Sequence, residues 1–199
     1  MVAHSRNGIV ASQTAERCPE RIEGLIYLAA YLVPGGKSMM EYAIEDTESL
    51  VVQNVVPALD RKRALRLISL FKHPLWRRVL PAILPASLQT HRLKKEAYKK
   101  ALYHDCPEEI TKLADALLEP EPNWAGFTPL QLSEKNYGSV PRVYIECLQD
   151  RAVTLGLQRK MVGELPCAKV FSLDAGHSPF FSQPDKLAAA LIASAAALA

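Results

Sequence analysis

Three side chains whose types suit nucleophilic hydrolysis occur along the chain in the order serine, aspartate, histidine. Ser5 directly precedes a predicted helix, and Asp150 and His177 each follow a short apolar segment. Such hydrolysis needs a hydroxyl nucleophile, an imidazole that takes its proton, and a carboxylate that orients the far ring nitrogen. The joint occurrence of the three residues therefore predicts a serine-nucleophile site.

Each of these residues also has an ordinary structural explanation. A single serine near the first residue is unremarkable, Asp150 could cap the helix that follows it, and His177 could be a solvated loop histidine. Asp174 is a rival for the role of the acid. It lies three residues before His177 and would have to fold back to reach the ring, so we favour Asp150.

The segments around these residues alternate between strand and helix patterns. Short apolar segments at 25–31, 140–148 and 168–173 predict strands that are covered on both faces. This alternation predicts an α/β fold with a parallel sheet flanked by helices, and functional groups gather outside the carboxyl ends of such strands. The predicted helices are 9–18, 155–164 and 184–198.

Residues 37–139 follow a different pattern, without the alternation of strands and turns. Helical stretches are interrupted there by several prolines. We interpret this region as a helical cap inserted into a core that consists of residues 1–36 and 140–199. Aromatic residues of such a cap more often form its core than contact a substrate. Some of them are nevertheless candidates to line a pocket over Ser5: Phe71, Trp76, Tyr98, Trp124 and Phe127. The predicted cap helices are 41–56, 60–72, 92–103 and 107–118.

Positive charge is concentrated within the predicted cap. The net charge of the chain is +3, but residues 61–100 contain 12 Lys and Arg and one acid, Glu96, which gives +11 there and −8 elsewhere. Aromatic residues are not interleaved with these basic residues as they are in single-strand binders. A solvated basic face is therefore favoured, and binding of nucleic acid is the less favoured alternative.

Composition excludes several classes of protein. The 199 residues are 49% hydrophobic and 23% charged, as in ordinary globular proteins, and no apolar segment approaches the roughly 20 residues of a membrane span. The four cysteines have no CxxC spacing, and no pair of histidines has metal-ligand spacing. We therefore expect a cytoplasmic protein with buried thiols, without a metal, a cofactor or a membrane partner. The oligomeric state stays open.

Several motifs together resemble one branch of the α/β-hydrolases. Residues 2–10 resemble the nucleophile elbow, 141–152 the acid-bearing segment and 175–184 the histidine loop of plant methyl esterases, hydroxynitrile lyases and bacterial esterases. The resemblance implies a partial α/β-hydrolase fold that acts on a small carboxylic ester through an acyl-enzyme. Ser5 would then be the nucleophile, His177 the general base and Asp150 the orienting acid. The backbone N–H of Arg6 would donate to the oxyanion.

The chain departs from the pattern of this branch at three places. Asn7 replaces the second glycine of the elbow, so we expect local strain that displaces the serine hydroxyl. Only four residues precede Ser5, so we expect an N-terminally shortened hydrolase that lacks one oxyanion donor. Ser178 stands where the lyases have a lysine, which favours ester hydrolysis over lyase activity. The alternative function is a catalytically impaired relic or a binding module.

Overall fold

The computed structural model describes residues 1–56, 61–83 and 89–198. Both strands and helices occur in this part of the chain. The strands are β1 (Val2–His4), β2 (Leu25–Leu28), β3 (Val55–Val56), β4 (Thr90–Leu93), β5 (Glu121–Pro122), β6 (Arg142–Cys147) and β7 (Lys169–Leu173). The helices are α1 (Asn7–Arg17), α2 (Met39–Ala43), α3 (Leu50–Asn54), α4 (Arg61–Lys72), α5 (Pro74–Ile83), α6 (Lys95–Ala101), α7 (Glu108–Leu117), α8 (Trp124–Phe127), α9 (Leu155–Glu164), α10 (Pro179–Ser182) and α11 (Pro184–Ala196).

Four parallel strands form the central sheet in the order β1-β2-β6-β7. The predicted strands at 25–31, 140–148 and 168–173 correspond to β2, β6 and β7, each somewhat shorter than predicted. The structure therefore confirms the predicted α/β class with its parallel sheet. β1 lies at one edge, so the strand that leads to Ser5 pairs with β2 alone among the described strands.

The inner strands β2 and β6 are covered on both faces, which explains their mostly apolar character. The edge strand β7 was also expected to be covered, but Lys169, Val170 and Ser172 are exposed. Along β2, Leu25 and Tyr27 point to a cluster that includes residues of α1 and α9. Ile26 and Leu28 point to the opposite cluster, which includes Leu187 of α11. The alternation of the strand thus distributes its side chains between two apolar layers.

The region between β2 and β6 is not purely helical. β3, β4 and β5 form a small antiparallel sheet there, in which Val55 pairs with Leu93 and Thr90 pairs with Pro122. The expectation that this region lacks strands is therefore wrong. Strands of two to four residues are too short to produce a recognisable alternation, and β4 is polar because half of its residues are exposed.

The predicted helix at 41–56 is also interrupted. Helix α2 ends at Ala43, and α3 begins only at Leu50, where the side chain of Ser49 accepts a hydrogen bond from the N–H of Val52. This N-cap starts a new helix after a turn. Within the described ranges, none of the helices is both long and apolar enough to cross a bilayer.

Candidate active site

Ser5 occupies a strained turn between β1 and α1. Its φ angle is +55°, in the left-handed region that non-glycine residues seldom adopt. The N–H of Ser5 donates to the carbonyl of Leu28 over 3.3 Å, and the carbonyl of Ser5 accepts from the N–H of Tyr31 over 3.0 Å. The end of the neighbouring strand therefore holds the serine in a conformation that it would not adopt alone.

Gly8 provides the close approach that this turn requires. A Cβ atom at Gly8 would lie 2.2 Å from the carbonyl oxygen of Tyr31, so only glycine fits. Asn7 is the first residue of α1 and is exposed. The close approach is thus made at Gly8, and the expected displacement of the serine hydroxyl is not found, because the Ser5 hydroxyl lies within hydrogen-bond distance of His177.

The three residues singled out from the sequence meet at the carboxyl edge of the sheet. The Oγ of Ser5 lies 3.0 Å from Nε2 of His177, and Nδ1 of His177 lies 2.7 Å from Oδ2 of Asp150. The side chains of Asp150 and His177 are almost completely buried. In the neutral imidazole, Nδ1–H therefore donates to the carboxylate while Nε2 accepts from the serine hydroxyl.

Backbone donors fix the carboxylate of Asp150. Its Oδ1 accepts from the N–H groups of Ala152 and Val153 over 2.7 and 3.0 Å. The loop after β6 thus leaves Oδ2 for the imidazole of His177. The rival acid Asp174 is exposed, and its carboxylate accepts instead from the side-chain amide of Gln149 over 2.6 Å.

The backbone N–H of Arg6 is the predicted oxyanion donor. It follows Ser5 directly, and among the described residues it donates to no protein atom. The Arg6 guanidinium contacts β5, where it pairs with Glu121 and donates to the carbonyl of Pro122 over 2.8 Å. The side chain of the candidate oxyanion residue therefore connects the elbow to the region between β2 and β6.

The ring of His4 packs against the imidazole of His177 at an interplanar angle of 45°. Its Nε2–H donates to the backbone carbonyl of His177 over 2.8 Å, and the two ring centroids are 4.5 Å apart. Burial, together with the smaller electrostatic effect of the nearby His177, lowers the pKa of His4 from its ordinary value to about 3. His4 is therefore neutral at ordinary pH. The sequence interpretation gave His4 no role, although it is next to Ser5.

Asp105 is a second residue that sequence reasoning missed. Its Oδ2 accepts from the N–H of Gly176, the residue before His177, over 2.7 Å. The thiol of the next residue, Cys106, lies 3.8 Å from the carbonyl of Ser178. No spacing in the sequence connects Asp105 with His177, because the chain brings these segments together only when it folds.

A cavity of about 440 Å³ opens beside Ser5 and His177. Its polar lining includes Arg6, His91, Glu119 and Glu121. Of the predicted aromatic residues, Tyr98, Trp124 and Phe127 line it, whereas Phe71 packs in an apolar cluster and Trp76 does not contribute. The apolar side chains of the lining are Tyr31, Met39, Met40, Ala43, Ile44, Val51, Val52, Val55, Leu67, Leu93, Tyr98, Leu102, Tyr103, Leu118, Trp124, Phe127, Ala152, Val153 and Phe180.

None of the four cysteines lines this cavity. The four cysteines are separate thiols, of which only Cys147 is fully buried. In the part of the chain that the structure describes, no three His, Cys, Asp or Glu side chains are arranged to hold a metal ion. The candidate site is therefore described by the hydrogen bonds that join Ser5, His177 and Asp150.

Comparison with known proteins identifies the family. The model of the alpha/beta hydrolase family matches residues 1–190. The chain belongs to the alpha/beta hydrolase family. This finding confirms the resemblance to the α/β-hydrolases that the elbow, acid and histidine segments predicted.

The similar proteins of this family include plant and bacterial hydrolases. The chain is 30% identical to Methylesterase 7 of Arabidopsis thaliana over 197 residues, which is 96% of this chain and 67% of the relative. It is 28% identical to the pyrethroid hydrolase of Sphingobium wenxiniae, covering 96% of this chain and 61% of that protein. The chain covers only 43% of another relative, putative methylesterase 11 of Arabidopsis thaliana.

Solved structures support the fold. Tomato methylketone synthase I matches with a TM-score of 0.72 at 22% identity, over 100% of this chain and 70% of that one. An Arabidopsis methylesterase matches with a TM-score of 0.69 at 24% identity, over 98% of this chain and 68% of that one. At this level of identity, the likeness establishes the alpha/beta hydrolase fold.

Proposed function

We propose that this alpha/beta hydrolase cleaves small carboxylic esters through an acyl-enzyme on Ser5. The observation that carries the proposal is the continuous hydrogen-bonded chain from the Ser5 hydroxyl through His177 to Asp150. The same sequence of groups activates the serine of other hydrolases. The core assigned to residues 1–36 and 140–199 would supply these groups, and the cap assigned to 37–139 would supply most of the cavity.

The proposed reaction moves one proton back and forth through His177. Nε2 of His177 takes the proton of Ser5 as its Oγ attacks the ester carbonyl, and then gives the proton to the departing alcohol. Water attacks the acyl-enzyme by the same route and releases the acid. Asp150 holds the imidazole in the required tautomer, and the N–H of Arg6 donates to the oxyanion.

The cavity favours an ester with an apolar acyl or alcohol group. Most of its lining side chains are apolar, and they would be desolvated together with such a group. The names of similar proteins, methylesterases and a pyrethroid hydrolase, also indicate ester substrates. Ser178, at the position of the lysine of the lyases, is buried and favours hydrolysis over lyase chemistry.

The test is hydrolysis of p-nitrophenyl esters of increasing acyl length by the wild type and by Ser5→Ala. We expect the substitution to lower kcat/KM by about 10³-fold or more, because the nucleophile is lost. Ser69→Ala is the matched control, because Ser69 is an exposed residue of α4. Equal turnover by wild type and Ser5→Ala would refute the proposal, and a folded wild type without turnover would favour the relic or binding module.

A further inference from the structure

The main chain that carries His177 is held by hydrogen bonds to two separate parts of the fold. From the elbow, Nε2–H of His4 donates to the carbonyl of His177 over 2.8 Å. From the region between β2 and β6, the carboxylate of Asp105 accepts from the N–H of Gly176 over 2.7 Å. The N–H of Gly176 and the carbonyl of His177 belong to the peptide groups on either side of the one that joins these two residues, so the two contacts restrain the backbone before and after it.

The contact with Asp105 is closely fitted. A Cβ atom at Gly176 would lie 2.6 Å from Oδ1 of Asp105 and 2.6 Å from Cε1 of His104, so the backbone of the histidine loop lies directly against these side chains. Partial burial would raise the pKa of Asp105, but the N–H of Gly176 is among the groups that outweigh it and lower the pKa. Asp105 therefore presents an ionised carboxylate to the loop.

We propose that His4 and Asp105 are positioning residues that clamp the backbone at Gly176 and His177 and so direct Nε2 of His177 toward the Ser5 hydroxyl. This inference rests on the proposed function. In the proposed reaction, neither His4 nor Asp105 contacts a reacting atom. Asp150 fixes the far nitrogen of the ring, whereas the clamp fixes the backbone about which the ring could otherwise shift.

The clamp should act on turnover more than on substrate binding. A displacement of about 1 Å in a reacting group can lower a rate by about 100-fold even when the changed residue is remote from the chemistry. We therefore expect Asp105→Ala to lower kcat about 10-fold to 100-fold with little change in KM. Asp105→Asn keeps an oxygen acceptor for the N–H of Gly176, so it should restore most of the lost kcat.

His4 offers a second, independent pair of variants. His4→Phe keeps an aromatic ring against His177 but removes the N–H donor, whereas His4→Gln keeps a donor at a similar reach. We expect the phenylalanine variant to lower kcat by about the same factor as Asp105→Ala, and the glutamine variant to lower it less. Asp115→Ala, which removes an exposed aspartate of α7, is the control and should leave kcat unchanged.

Magnetic resonance of the histidine ring nitrogens tests the clamp without using activity. The Nδ1–H signal of His177, assigned by its absence in His177→Gln, should exchange with water faster in Asp105→Ala and His4→Phe than in the wild type. Asp105→Asn should preserve the slow exchange. If the wild type does not turn over esters, the proposed function fails, but these spectra still decide whether the clamp exists.

Two results would overturn the inference. One is a folded Asp105→Ala or His4→Phe variant with wild-type kcat and an unchanged His177 signal. The other is an equal loss of kcat in Asp105→Asn and Asp105→Ala at equal melting temperature. If Asp105→Ala does not fold, Asp105→Asn and the two His4 variants still test the clamp. If His4→Phe does not fold, His4→Gln and the two Asp105 variants test it.

Discussion

The sheet and the region between β2 and β6 differ in what determines their structure. The inner strands β2 and β6 are short, mostly apolar segments buried on both faces, so their burial pattern indicates their type and their place in the sheet. The small sheet β3-β4-β5 is instead formed by half-exposed residues that are distant in sequence, such as Val55 and Leu93. The local hydrophobic pattern thus indicates the strands of the central sheet, whereas pairing between residues distant in sequence forms the small sheet.

The two regions also contribute different residues to the candidate site. The sheet brings Ser5, Asp150 and His177 to one edge, because the carboxyl ends of parallel strands lie together. The other region supplies most of the cavity wall and the contacts of Asp105 and Glu121 with the site. The three candidate catalytic residues thus follow strands of the sheet, and the region between β2 and β6 lines most of the cavity beside them.

The largest expected effect concerns the choice between two acids. Asp150→Asn should lower kcat/KM about 10³-fold to 10⁴-fold, because an amide no longer holds the tautomer in which Nε2 of His177 accepts a proton. Asp174→Asn should stay close to wild type, because Asp174 bonds to Gln149 at the surface. Ester hydrolysis measured on both folded variants checks this prediction, and a larger loss in Asp174→Asn would contradict it.

A smaller effect concerns the stability of the elbow. Gly8→Ala should lower the free energy of unfolding by about 2–4 kcal/mol, because its Cβ would collide with the backbone of Tyr31. Gly163→Ala in α9 is the matched control. Its Cβ meets no atom within 4 Å, so helix propensity should stabilise it by about 0.5–1 kcal/mol. Urea unfolding of both variants measures the difference, and equal midpoints would show that the elbow is not tightly packed.

The smallest expected effect concerns the basic window at 61–100. Lys72 pairs with Glu41, and the guanidinium of Arg77 donates to the backbone carbonyl of Phe71, so part of this charge is already engaged within the protein. We expect the protein to elute freely from heparin at physiological salt. Retention that persists at high salt, and that Lys62→Glu abolishes, would instead support a nucleic-acid site and give this region a function of its own.

The sequence predicted the sheet better than the surrounding segments for a physical reason. The strand at 140–148 and the helix at 155–164 were found at nearly their observed bounds, because burial leaves a periodic record along the chain. The same reasoning led to Ser5, Asp150 and His177, which follow strands. Whether they act catalytically stays a prediction.

Several contacts of the candidate site are not predicted by any pattern in the sequence. The contact of Asp105 with Gly176 joins segments 71 residues apart, and the donor role of His4 depends on the direction of a backbone carbonyl. Asn7 was expected to be crowded because of its place in a motif, but the close approach is made one residue later, at Gly8. Three-dimensional contacts, which propensity and spacing do not encode, decide these points.

The most direct test of the central claim is covalent labelling of the intact protein with a fluorophosphonate probe, followed by peptide mass spectrometry. If Ser5, His177 and Asp150 act as one unit, the adduct forms on Ser5 and forms much more slowly in His177→Gln and Asp150→Asn. An unlabelled Ser5 in folded wild-type protein, or labelling that is equally fast without His177, would contradict the account.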